Sequence, residues 1–147
     1  MLYQLSYLAW CGGDGNARKC EDPGMLSPLQ QARGIALGRA ALGLTALGAP
    51  GLTGRLLVGS DGGRASVRLY TRAMGVRDLA VGAGALAALR VGDPVSRWLW
   101  AGALCDAVDT FAIGTAGDAV PAPTRVGVTA MAAGGAVFGA VLSRRVP

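Results

Sequence analysis

From Ala32 onward the chain alternates between long apolar blocks and short polar punctuation. Four blocks stand out, at about 34–49, 73–89, 98–115 and 126–142. Pro50-Gly51 closes the first, Gly92-Asp93-Pro94 the second, Gly117-Asp118 with two following prolines the third, and Ser143-Arg144-Arg145 the fourth. Proline, glycine and terminal cations are the usual stop signals of helices. The blocks run 16 to 18 residues, at the low end of the roughly 17–25 that a spanning helix needs. A helix of a soluble bundle would confine its apolar residues to a stripe about 100° wide, whereas Val126 to Leu142 is apolar all round. The pattern predicts an all-α chain, a polytopic membrane protein with about four transmembrane helices in a bundle. The predicted membrane domain covers 32–147.

Residues 1–31 do not share this pattern. Cys-Gly-Gly-Asp-Gly-Asn at 11–16 and Arg-Lys-Cys-Glu-Asp-Pro-Gly at 18–24 are turn and charge clusters without periodicity. The segment is expected to be poorly ordered. Leu2 to Trp10 is apolar but lacks a preceding cation and a full hydrophobic core, so it does not read as a signal peptide. Met25 offers an alternative start of translation.

Composition sharpens the membrane reading. Apolar residues make up 52% of the chain before its 24 glycines are added, and charged residues only 16%; soluble domains reach about 45–50% apolar with glycine included and about 25% charged. Mean hydropathy is +0.41. The net charge of +5 comes from cations scattered between the blocks, without the basic stripe and interleaved aromatics of a nucleic-acid surface. Such cations set orientation and meet anionic headgroups. They divide almost evenly between the two sides of a four-span arrangement, with a slight lean to cytoplasmic termini. Histidine is absent, which excludes Ser-His triads and His-ligated metals. Cys11, Cys20 and Cys105 form no CxxC pair. No enzyme class, cofactor or metal is indicated.

The informative residues are the charges inside the blocks, because each costs about 2.5–3.5 kcal/mol at a span centre unless it has a partner or a purpose. Arg39 lies in the first block, Arg77 and Asp78 in the second, Asp106 and Asp109 in the third. At 1.5 Å rise per residue the arginines sit about 6–9 Å inside, near enough to snorkel, while Asp109 lies about 16 Å beyond Trp98, close to the midplane. Asp106 and Asp109 are three apart and so share a helix face. Either one keeps its proton, or Arg39 and Arg77 neutralise the pair in a network that includes Asp78. Arg72, at the edge of the second block beside Tyr70, is grouped with this polar cluster.

Trp98 and Trp100 beside Arg97 have the character of an interfacial anchor. Small residues four apart, Gly34 with Gly38 and Gly135 with Gly139, are expected helix-packing positions, as are Gly75 and Gly82. Gly82-Ala83-Gly84-Ala85-Leu86-Ala87 matches a dinucleotide fingerprint, with Asp106 about twenty residues on. That fingerprint needs a strand before it and a helix after it, and Arg77 to Val81 makes a poor strand. Ser60-Asp61-Gly62-Gly63 reads as a turn.

Thr71 to Gly82 (TRAMGVRDLAVG) and Trp98 to Thr110 (WLWAGALCDAVDT) resemble a group of small, predicted four-span bacterial membrane proteins. The group is common in high-GC genomes and catalogued as a domain of unknown function. The resemblance extends over about Arg33 to Leu142, and its most specific elements are Arg72, Gly75, Arg77, Asp78, Gly82, Asp106 and Asp109. It implies the four-span architecture and the choice of polar residues, and no reaction. Cys105 stands where small residues are common in similar proteins, which implies packing.

The leading expectation is a multi-pass protein of the inner or plasma membrane with a buried Arg/Asp cluster between helices, structural or lining a small polar site. The alternatives are a small carrier or proton-coupled component, and a soluble helical or nucleotide-binding protein. Expected partners are the lipid bilayer and a second copy or another membrane protein, not nucleic acid.

Overall fold

The computed structural model describes residues 26–147, and the expectations for the first 25 residues lie outside it. The described chain is all-α, with five α-helices: α1 Pro28–Gly48, α2 Pro50–Val58, α3 Ala65–Val91, α4 Ser96–Gly114 and α5 Ala122–Ser143. Short 3₁₀ turns at Gly59–Gly63 and Gly117–Ala119 complete the connections.

α1 begins six residues before the apolar block. Ser27 accepts from the Gln30 backbone N–H, and the Gln30 side chain accepts from the Ser27 backbone N–H, a reciprocal capping box ahead of Pro28. The expected unstructured segment therefore cannot extend to residue 31. Ser27→Ala is expected to cost about 1 kcal/mol, read as a lower unfolding midpoint of the purified protein.

Pro50-Gly51 closes α1 but also opens α2, since proline suits the first helical position, where its missing N–H is not needed. The chain bends by 108° there, so α2 crosses the end of the bundle. α3 starts eight residues before its apolar block, because Ala65 to Arg72 is helical without being apolar. Its end is fixed by Gly92, whose φ of 78° is left-handed and favours glycine.

The helices associate as two antiparallel pairs, α1 with α3 and α4 with α5. Small residues allow both. A Cβ on Gly43 would stand 2.6 Å from Gly75 O and Leu79 N, and one on Gly82 would stand 2.7 Å from Ala36 O and Ala40 N. In the second pair Gly139 lies against Ala103 and the Leu99 carbonyl. Gly75, Gly82 and Gly139 thus lie at close helix contacts, whereas the open space around Gly34 and Gly38 corrects the expectation for those two. They lie about 180° and 140° around the helix from Gly43, at 100° per residue.

Small side chains predominate in the interior, and many large apolar ones are exposed. Buried apolar residues among those described are six alanines, three valines and only Leu99 and Leu142. Large side chains face outward, including Leu42, Leu104, Val108, Phe111, Met131 and Val137. By length and composition one helix, Ala122–Ser143, is apolar enough to cross a membrane alone, and Pro28–Gly48 with Pro50–Gly63 qualifies together as a broken span.

Candidate functional site

The charges of the apolar blocks converge between the two helix pairs. Arg39 on α1 donates to Asp78 Oδ1 on α3 at 3.0 Å, to the Gly102 carbonyl on α4 at 3.0 Å, and to Asp106 Oδ2 on α4. Arg77 on α3 grips Asp109 on α4 through both terminal nitrogens, at 3.0 and 2.7 Å, and reaches Asp78 Oδ1 at 3.4 Å. Such a two-point fork matches guanidinium to carboxylate geometry. Asp109 is 7% exposed, the most buried of the five.

Each residue reaches the cluster for a local reason. Arg39 lies on the face of α1 that carries buried Ala32, Ala36, Gly43 and Ala46. Asp106 and Asp109, three apart, both look from α4 toward the first pair, as their spacing predicted. Two glycines make room for the charges. A Cβ on Gly102 would meet Arg39 Nε at 2.9 Å, and one on Gly135 would meet Asp106 Oδ2 at 2.5 Å. Gly135, predicted as a helix contact, accommodates a carboxylate; Gly102 has the same function for a guanidinium.

Arg72 does not join. It is exposed and makes none of the ion pairs among the described residues. Five residues from Arg77 is about 140° around a helix, so one face cannot hold both. The fingerprint at 82–87 lies inside the continuous helix α3 with no strand before it. Gly82 there admits α1, and Gly84 admits the indole of Trp98. These glycines serve packing, which removes the structural basis for a dinucleotide site. Trp98, expected at the lipid interface, sets the six-membered ring of its indole against Gly84 of α3.

Beside the cluster lies a cavity of about 80 Å³ between all four long helices. Arg39 and Asp106 provide its charged wall, and Ile35, Leu99, Trp98 and Phe138 its apolar wall. Arg77 Nε is buried without a hydrogen-bond partner among the described residues. The inventory is three carboxylates to two guanidiniums, a formal deficit of one positive charge. No family model, curated protein or solved structure matches the chain.

Proposed function

We propose that this chain is a multi-pass membrane protein in which α1, α3, α4 and α5 span the bilayer and the Arg/Asp cluster clamps one helix pair to the other. The observation that carries the reading is the packing, with many large apolar side chains, Leu42, Leu104, Val108, Phe111 and Val137 among them, facing outward while the ion pairs and most of the alanines that make up the core lie inside. Lipid solvates the former and excludes the latter. α3 and α4 are interrupted as apolar segments by Arg77, Asp78, Asp106 and Asp109, and these are the charges that turn inward and pair. The four-span architecture is also what the resemblance proposed for Thr71–Gly82 and Trp98–Thr110 implies. Alkaline carbonate treatment of membranes tests it: the protein is expected in the pellet, and its release to the supernatant would refute the proposal.

A second reading has its own support in the charge deficit and the adjoining cavity. The cluster takes up one proton or small cation, as a carrier component would. Asp106→Asn or Asp109→Asn is then expected to abolish proton flux in proteoliposomes, read with a pH-sensitive dye, while leaving the protein folded and abundant. Loss of expression in both variants would instead assign the cluster to the clamp alone.

A further inference from the structure

Away from the cluster, a groove of about 150 Å³ lies between α1 and α3 at the end of the bundle where α4 begins. Its lining is Arg33, Leu37, Leu86, Leu89 and Arg90. The antiparallel register that sets Ala36 beside Gly82 brings Arg33 and Arg90 to one rim. Each arginine stands one turn outward from a leucine on its own helix, Arg33 from Leu37 and Arg90 from Leu86, at the i, i+4 spacing that shares a face. Both helices thus offer a guanidinium above an apolar wall. Arg33 and Arg90 are exposed, and neither forms an ion pair among the described residues. The nearest acid in sequence, Asp93, is exposed and makes none either. Trp98 and Trp100 begin α4 at the same end, the place where aromatic residues mark the headgroup level.

We infer that this groove binds an anionic phospholipid, its phosphate held between Arg33 and Arg90 and the first part of an acyl chain along Leu37, Leu86 and Leu89. Guanidinium groups match phosphate oxygens bidentately, and basic pockets between spans take acidic headgroups. The leucines select an amphiphile, because a free phosphate would gain nothing from them. The inference rests on the membrane reading above.

Native mass spectrometry of the full chain in detergent, titrated with phosphatidylglycerol or with phosphatidylcholine of the same acyl chains, tests it. One phosphatidylglycerol per chain is expected, preferred roughly thirtyfold, the scale of two cations at about 1 kcal/mol each near an anionic headgroup. Arg33→Gln with Arg90→Gln should erase the preference with helicity and carbonate resistance intact. Arg144→Gln with Arg145→Gln, equally basic and near the same end, should leave it. Equal losses in the two double variants would show general surface charge and overturn the site. Displacement of the lipid by inorganic phosphate would overturn the lipid assignment. A chain that resists carbonate yet shows no preference refutes only this inference, whereas one that carbonate releases refutes the membrane reading with it.

Discussion

Replacing Arg77 by alanine is expected to destabilise the protein by about 3–5 kcal/mol, the scale for stranding one member of a buried ion pair. Asp109 would lose both bonds of its fork while remaining between helices at 7% exposure. The exchange Arg77→Asp with Asp109→Arg should recover part of the loss, because it restores opposite charges across the same α3–α4 contact. Arg77→Leu with Asp109→Leu separates the two readings of the cluster. Substituting both partners of a buried pair by apolar residues is often neutral or stabilising, so a clamp tolerates the change. A proton or cation site that uses the Asp109 carboxylate does not survive it. Reversible unfolding in mixed micelles reads the stability, and flux in proteoliposomes reads the site. An Arg77→Ala variant as stable as the parent would mean that α3 and α4 do not depend on the pair.

The second large effect belongs to the α1–α3 contact. Gly43→Leu and Gly82→Leu would each drive a side chain into the backbone of the facing helix, at 2.6 and 2.7 Å from its atoms. Backbone cannot step aside as a flexible side chain can. The helices must separate, at a cost of about 1–3 kcal/mol or more, and separation would draw Arg39 away from Asp78. Gly34→Leu and Gly38→Leu meet nothing within 4 Å and should stay within about 0.5 kcal/mol of the parent, as surface changes do. The four variants differ only in which face of a helix they occupy, so unfolding midpoints measured side by side test the register directly.

What could be read from the chain alone follows from which signals are one-dimensional. Long apolar runs need no partner to be recognised, and the four long helices fall where the blocks predicted. α2 escaped because Pro50-Gly51 is at once the end of one helix and the start of another, and only the 108° bend separates those meanings. The first eight residues of α3 carry Arg68 and Arg72 and have no apolar pattern to mark them. Asp106 and Asp109 were identifiable as a pair by spacing. Their division between Arg39 and Arg77 was not, since it depends on how α1 and α3 rotate against α4. Arg72 was grouped with the cluster as one of the elements that carry the resemblance, and its five-residue distance from Arg77 puts it about 140° around the helix. Gly43, the tightest contact of α1, gave no signal of its own in a chain of 24 glycines; a count of angular positions from Ala32 and Ala36 would have placed it on their face.

The central claim is that four helices cross the bilayer and carry the ion pairs within it. Single cysteines at Ser60, Asp93 and Asp118, in a background with Cys11, Cys20 and Cys105 replaced by serine, test that claim most directly. Labelling with a membrane-impermeant maleimide would compare intact spheroplasts with inverted vesicles. Positions 60 and 118 are expected to react from one side of the membrane and position 93 from the other. Reaction of all three from the same side would contradict the four-span arrangement.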